Sequence, residues 1–167
     1  MGVSGSGKTT LGEALAARLD LPCLDADDVH PAANVAKMSA GHPLNDDDRW
    51  PWLSILCTAM NEAARSDGGI ITACSALKRR YRDFIRSHLA YPVQFILLDG
   101  DRATLHQRMQ NRPGHYMPPT LLDSQIADLE KPAADEQVLS LSIEHTVDEL
   151  VMASLSAIQS ATKETHP

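Results

Sequence analysis

The chain has 167 residues and a formal net charge of −7 at pH 7, and its composition is 43% hydrophobic and 22% charged. These values are typical of one globular domain, and the negative charge disfavours a nucleic-acid partner, which would need a basic face. No apolar run approaches the roughly 20 residues of a membrane span and no signal segment opens the chain, so we expect a soluble, cytoplasmic protein with no membrane partner.

The first distinctive segment is a glycine-rich loop that fits the complete motif G-x-x-x-x-G-K-[ST]. Its glycines allow backbone N–H groups to point at phosphate oxygens, Lys8 supplies positive charge to the β- and γ-phosphates, and the Thr9 hydroxyl suits Mg²⁺. Leucines at helical spacing predict a helix over 9–19, whose N-terminal dipole faces the phosphates. We therefore assign the nucleotide phosphates to one continuous segment: Gly2, Val3, Ser4, Gly5, Ser6, Gly7, Lys8, Thr9 and Thr10.

A loop of this type normally follows a strand in the middle of a parallel sheet, yet only Met1 precedes Gly2. We expect relatives to carry about five to eight further apolar residues upstream, the length of an ordinary strand. The first strand of the sheet is therefore expected before residue 1.

The remaining chain alternates predicted strands and helices. Helix 46–67 is expected to be capped by Asn45 or Asp46 and to end at the glycines after Asp67, and the polar tail 160–167 is expected to fray. The alternation predicts a single doubly wound α/β domain over 1–167, with a parallel sheet covered by helices on both faces. Strands are predicted at 22–25, 70–74, 93–98 and 138–143, and helices at 31–40, 46–67, 79–89, 101–111, 120–130 and 147–158.

Polar side chains follow successive predicted strands, where open α/β sheets bind ligands. Asp25 and Asp27 follow the second strand of the sheet, Ser75 and Lys78 the third, and Asp99 the fourth. The D-x-x-G and N-K-x-D motifs of switch GTPases are absent. The pattern favours a small-molecule kinase over a GTPase.

Several unusual segments, spread from Gly2 to about Glu136, point to one kinase family. They include the strings Leu24-Asp25-Ala26-Asp27, Leu44-Asn45-Asp46-Asp47-Asp48-Arg49, Ala73-Cys74-Ser75-Ala76-Leu77-Lys78, Gly114-His115 and Ala134-Asp135-Glu136. Together with the loop they resemble the gluconokinases. The clearest departure is the missing first strand, and Tyr116 stands where that family often has phenylalanine.

The resemblance implies phosphorylation of gluconate at its terminal hydroxyl, with ATP and Mg²⁺. Thr9 and Asp25 are the candidates for Mg²⁺. Asp27 is expected to position and deprotonate the attacking hydroxyl, beside Asp25 if the extended backbone continues past the strand. The candidates for binding the carboxylate and hydroxyls of gluconate are Asp27, His30, Asn34, Lys37, Arg49, Ser75, Lys78 and His115.

A small lid is predicted at about 112–119. Arg108 and Arg112 would reach the transferring phosphoryl group late, and lid closure would exclude water from the reaction. Gly114 beside Pro113 is a plausible hinge. The predicted catalytic residues are therefore Lys8, Asp27, Arg108 and Arg112.

Simpler structural roles stay open for several of these residues. His30 could cap the following helix, Asp27 could cap a turn, and the run 46–48 could be only a helix-start cluster with which Arg49 pairs. Arg108 and Arg112 could be ordinary basic residues ending an exposed helix.

Two other functions also stay open. A shikimate kinase would have the same loop and D-x-D motif, although its third strand typically ends in a glycine-rich segment. A nucleotide-binding module without phosphoryl transfer would need none of the converging polar residues. A homodimer is one option for the assembly of this chain.

Overall fold

The structure is a computed structural model that describes residues 1–111 and 119–164. Helices and strands alternate along the chain, as predicted. In chain order the elements are α1 (Lys8–Leu19), β1 (Cys23–Asp25), α2 (Ala32–Ser39), α3 (Asp46–Asp67), β2 (Ile71–Ala73), α4 (Arg79–His88), β3 (Ile96–Asp99), α5 (Arg102–Gln110), α6 (Pro119–Asp128), β4 (Leu139–Ser142) and α7 (Val147–Glu164), with short 3₁₀ turns at Ala26–Val29 and Ala134–Glu136.

Two of the predicted boundaries were wrong by three or more residues. Strand β3 begins at Ile96 rather than at residue 93, because its ladder with β4 starts where Ile96 pairs with Leu139. Helix α7 continues to Glu164, into the segment predicted to fray. Alanine, lysine and glutamate in its last turns have high intrinsic helix propensity.

All strand pairing in the described residues is parallel, and it occurs in two separate pairs. Strand β1 pairs with β2 in the register Cys23 to Ile71, and β3 pairs with β4 in the register Ile96 to Leu139. The predicted parallel sheet is thus confirmed, as two short ladders rather than one continuous ladder. The polar residues that follow β1, β2 and β3 lie at the carboxyl ends of these strands.

Met1 and Gly2 join the two strand pairs near these carboxyl ends. The N–H of Leu98 donates to the carbonyl of Met1 (2.9 Å), and the N–H of Gly2 donates to the carbonyl of Ser75 (3.2 Å). Beside Met1 lies a cavity of about 470 Å³, lined largely by apolar side chains from both pairs and the helices that cover them. The cavity lies between β2 and β3, and residues of both strands line it.

Two buried hydrophobic clusters show that helices cover both faces of the strands. One cluster is built on α3 and α4, with Leu53 and Ile85 at its centre, and Leu24 of β1 packs against it. The other is built on α1, α5 and α7, with Leu11 buried in it, and Ile71 of β2 packs against that side. This confirms the predicted doubly wound arrangement. None of the helices in the described part of the chain is long and apolar enough to cross a membrane.

The start of α3 is fixed by a capping box, which sets the position of the residues after it. The side chain of Asn45 accepts the N–H of Asp48 (3.0 Å), and the carboxylate of Asp48 accepts the N–H of Asn45 (2.8 Å). Three aspartates in the first turn complement the positive end of the helix dipole. The predicted cap is confirmed, and Arg49 is held one residue beyond it.

Candidate active site

Two glycines of the glycine-rich loop adopt backbone conformations that favour glycine. Gly7 caps α1 in the left-handed region with φ of 95°, and Gly2 has φ of 141° with the carbonyl of Leu98 only 2.8 Å from where a Cβ would stand. Neither position suits a side chain. Helix α1 begins at Lys8, one residue earlier than predicted, and the ammonium group of Lys8 donates to the carbonyl of Val3 across the loop (2.9 Å).

Thr9 and Asp25 form an oxygen pair beside this loop. The Thr9 hydroxyl donates to Oδ2 of Asp25 (2.8 Å), which is the last residue of β1. Hard oxygen ligands of this kind suit Mg²⁺, which usually takes one or two protein ligands and completes its shell with phosphate and water. Within residues 1–111 and 119–164 there is no cluster of three or more metal-ligating side chains. The pair therefore fits a metal that arrives with nucleotide phosphates.

The expectation that Asp25 and Asp27 lie along one extended backbone was wrong. The chain turns into the 3₁₀ segment directly after β1, and Oδ1 of Asp25 caps that turn by accepting the N–H of Asp27 (3.0 Å). The Asp27 side chain is 79% exposed, and its carboxylate lies 3.7 Å from Nε2 of His30. Asp25, not Asp27, is therefore the residue whose side chain caps the turn.

A cavity of about 70 Å³ brings several predicted site residues together. It lies between the glycine-rich loop, the 3₁₀ turn, the start of α3 and helix α6. Two of its polar residues, Ser124 and Gln125 on α6, were not predicted, because nothing in the pattern of 120–130 distinguishes them from surface polar residues. The other polar residues that line it were all predicted: Ser4, Lys8, Asp27, His30, Arg49 and Ser75.

His30 lies flat against Trp52 rather than capping a helix. The two rings are 4.2 Å apart at 15°, and the indole N–H of Trp52 donates to the carbonyl of Ala26 (2.7 Å). The cap of α2 is Pro31, which makes no side-chain hydrogen bond, so the capping alternative was wrong. Burial lowers the pKa of His30, which favours a neutral imidazole at pH 7. A neutral imidazole can both donate to and accept from sugar hydroxyls.

Asn34 and Lys37 fasten α2 to the start of α3. The Asn34 amide donates to the carbonyl of Asp48 (2.9 Å), and the Lys37 ammonium contacts the Asp48 carboxylate at 2.5 Å. The hydrogen bond from Lys37 lowers the pKa of Asp48. Neither residue lines the 70 Å³ cavity. Direct substrate binding by Asn34 and Lys37 stays a prediction.

Arg49 and Lys78 share a carboxylate that the sequence did not indicate. Nη1 of Arg49 donates to Oδ2 of Asp128 (3.0 Å) and to the hydroxyl of Tyr81 (2.9 Å), and Nζ of Lys78 lies 3.1 Å from Oδ1 of Asp128. Burial would raise the pKa of Asp128, but its hydrogen bonds with Arg49 and Lys78 outweigh burial and lower it. The Tyr81 hydroxyl also donates to Asp46. Arg49 itself is only 7% exposed.

Arg49 therefore does not pair with the acidic run at 46–48, and that alternative was wrong. The run is engaged by other cations: Lys78 lies 3.5 Å from Asp46 and Arg80 lies 2.5 Å from it. At the helix start, Asp48 of this run also forms the capping box with Asn45.

The predicted lid lies largely outside the described residues. Arg112 and His115 are among the residues that the structure does not describe, so their assignments stay predictions. Arg108 is near the end of α5, where its guanidinium donates to the carbonyl of Ile143 (2.6 Å), and it does not line the 70 Å³ cavity. Asp99 ends β3 and pairs with Lys131 (2.7 Å). Thr10 is exposed in the first turn of α1.

Comparisons with known proteins point to one group of small kinases. The family model described as shikimate kinase matches residues 4–161. The thermosensitive gluconokinase of Escherichia coli K12 is 47% identical over 148 residues, which cover 88% of this chain and 79% of that protein. The gluconokinase of Gluconobacter oxydans 621H is 45% identical over 89% of this chain and 83% of its own length. The crystal structure of a gluconokinase from Sinorhizobium meliloti 1021 matches with a TM-score of 0.87 and 38% identity, covering 99% of this chain and 93% of that one.

Proposed function

The chain belongs to the shikimate kinase-like P-loop kinases and, among them, to the gluconokinases, and from this premise we propose that it transfers the γ-phosphoryl group of ATP to gluconate. The products are 6-phosphogluconate and ADP. The observation that carries the proposal is the 70 Å³ cavity. It is lined both by the phosphate-binding loop with Lys8 and by the nearly buried Arg49. A sugar acid needs both, a phosphoryl donor at one end and a cation for its carboxylate at the other.

The loop and Lys8 would hold the phosphates of ATP, with the N-terminus of α1 behind them. Thr9 and Asp25 would hold Mg²⁺, which would neutralise charge on the phosphates. The terminal hydroxyl oxygen of gluconate forms a bond to the γ-phosphorus, and the bond from that phosphorus to the ADP oxygen breaks. Asp27 positions the hydroxyl and accepts its proton. Positioning contributes more than proton removal, because phosphoryl transfer is largely dissociative.

The remaining site residues have distinct proposed roles. Arg49 and Lys78 bind the substrate carboxylate, while neutral His30 and Ser75 bind its hydroxyls. Arg108, Arg112 and His115 act on the phosphoryl group or the substrate from the predicted lid. Asn34 and Lys37 hold α2 against α3, and through it the segment that carries His30, as their bonds to Asp48 indicate.

We also propose that the protein acts in the cytoplasm on a small molecule, without a nucleic-acid or membrane partner. The net charge of −7 supports the first exclusion, because a phosphate backbone would be repelled. A homodimer is compatible with the proposal, and sedimentation velocity would establish the oligomeric state.

The test is ADP release, measured side by side with gluconate, shikimate, glycerate, glucuronate and nucleoside monophosphates. We expect gluconate to give the highest kcat/KM, and Lys8→Ala protein to give none above background. Release that depends on shikimate instead would favour the shikimate kinase alternative. Nucleotide binding without release on any acceptor would favour a non-catalytic module.

A further inference from the structure

Helix α6 presents a carboxylate to the two cations assigned to the substrate. Oδ2 of Asp128 accepts from Nη1 of Arg49 at 3.0 Å, and Oδ1 lies 3.1 Å from Nζ of Lys78. One carboxylate thus spans both cations, with one oxygen on each. A substrate carboxylate held by the same pair would make the same two contacts.

The burial of Arg49 explains why such an internal anion is needed. Its side chain is 9% exposed, and a nearly buried guanidinium without a counter-ion would cost several kcal/mol in desolvation. Tyr81 accepts from the same nitrogen but carries no charge to balance it. A second carboxylate brought beside Asp128 would repel it. Simultaneous binding of both carboxylates to Arg49 and Lys78 is therefore unfavourable.

We propose that Asp128 is an internal competitor of the substrate, which occupies Arg49 and Lys78 until the carboxylate of gluconate replaces it. The inference rests on the proposed function. It makes Asp128 a specificity-determining residue, because only an anionic ligand offers the two cations a replacement for the bonds they lose. A neutral polyol of the same length has no group that compensates them.

The alternative role for Asp128 is to position Arg49. The two roles predict opposite changes in gluconate affinity when the charge of Asp128 is removed. If Asp128 only orients Arg49 while other guanidinium nitrogens bind the substrate, removing its charge would weaken gluconate binding. If Asp128 competes, removing its charge raises the fraction of protein whose cations can accept the substrate. The direction of the affinity change therefore decides between the two roles.

The experiment measures gluconate binding by calorimetry and KM by ADP release for the wild type and Asp128→Asn. We expect the variant to bind gluconate about 1.5- to fivefold more tightly, the range for loss of a partly exposed competing ion pair. KM should fall by a similar factor, and binding of glucitol, the neutral analogue, should not change. Asp128→Ala, which also removes the carboxylate, is measured in parallel and replaces the Asn variant if that protein does not fold.

Asp123→Asn is the matched control, because it removes the same charge from the same helix. Asp123 pairs with Arg102 and His106 at 2.9 Å rather than with Arg49 or Lys78, so gluconate affinity should stay at the wild-type value. An unchanged or weaker gluconate affinity in folded Asp128 variants would overturn the inference, and so would an equal gain for glucitol. Wild-type protein that binds no gluconate would instead overturn the proposed function.

Discussion

Asp25 links three parts of the site through one carboxylate. One oxygen accepts the hydroxyl of Thr9 from α1, and the other accepts the N–H of Asp27 and so stabilises the 3₁₀ turn. No described residue donates a hydrogen bond to the carboxylate of Asp27. Its side chain is mostly exposed and lines the cavity. The two acids of the D-x-D motif can therefore have separate roles, Asp25 towards the metal and Asp27 towards the acceptor.

Replacing Asp27 with asparagine should lower kcat by about 10²- to 10⁴-fold, the usual range for general acid–base help. Asparagine keeps a hydrogen-bond acceptor of similar shape but cannot take the proton. The measurement is kcat at saturating ATP and gluconate across a Mg²⁺ series. Asp25→Asn is the comparison, and its loss should be partly recovered at high Mg²⁺. A near-normal kcat in Asp27→Asn would remove Asp27 from the proton-accepting role.

Replacing Lys8 with alanine should abolish turnover while the protein stays folded. The ammonium group contacts the carbonyl of Val3, and Lys8 lines the cavity. In the proposed mechanism its charge stabilises the β- and γ-phosphates. The measurements are ADP release and a thermal melt followed by circular dichroism. Lys8→Arg keeps the charge with another shape and serves as the matched variant. Substantial turnover in folded Lys8→Ala protein would contradict the phosphate assignment.

At the level of residues, the sequence predicts what is local and misses what is distant. Lys8 and Thr9 were predicted because the loop motif fixes them within a few positions of one another. Asp128 and Gln125 were not, because their partners Arg49 and Ser4 lie 79 and 121 positions away. No periodicity connects such pairs. Only the folded arrangement of α6 over the loop brings them together.

The elements were predicted more completely than the contacts between them. Helix α3 begins at the capping box of Asn45 and ends before Gly68. The sequence predicts both of these ends to within one residue. The turn after β1 was foreseen only as an alternative, with Asp27 as its capping residue. Asp25 caps it instead, by a side-chain hydrogen bond that the extended pattern of 22–25 does not indicate. The two-pair arrangement of strands was missed too, since pairing depends on residues far apart in sequence.

Of the two arginines predicted to act from the lid, Arg108 lies in the described part of the chain, on helix α5. Replacing Arg108 or Arg112 with alanine should lower kcat more than it raises KM for ATP, because charge on the transferring phosphoryl group is greatest in the transition state. The measurement is a full kinetic series in both substrates. Arg102→Ala on the same helix, which removes an exposed ion pair with Asp123, is the control. A change confined to KM would assign the arginines to ground-state binding.

Across the whole molecule, one buried ion pair joins segments that are distant in sequence. The guanidinium of Arg82 in α4 is fully buried and donates to both carboxylate oxygens of Glu136, at 2.6 and 2.9 Å. It also donates to the carbonyls of Leu77 (3.1 Å) and Glu130 (3.2 Å). The guanidinium of Arg82 therefore connects helix α4 to the segment after β2 and to the chain that follows α6. Because Leu77 and Lys78 are adjacent, this pair also fixes the backbone that precedes Lys78.

Glu136→Gln should lower the free energy of unfolding by about 3–5 kcal/mol at pH 7, because it leaves the Arg82 charge buried without its partner. The hydrogen bonds from Arg82 lower the pKa of Glu136 to about 2 in the folded protein, against 4.5 for the ordinary group. A lowered folded-state pKa stabilises the fold above pH 4.5, and that contribution, about 3 kcal/mol, is lost as the pH falls towards 2. Urea unfolding of both proteins at pH 7, 4 and 3 measures it.

The gap in stability between wild type and Glu136→Gln should be largest at neutral pH and should shrink as the wild-type carboxylate becomes protonated. Asp135→Asn is the control, because it removes a neighbouring carboxylate whose pair with Arg79 is exposed and worth about 1 kcal/mol or less. Its effect should be small at every pH. A gap that stays constant from pH 7 to 3 would mean that packing of the residue, rather than its charge, joins these segments, since packing does not depend on the protonation of Glu136.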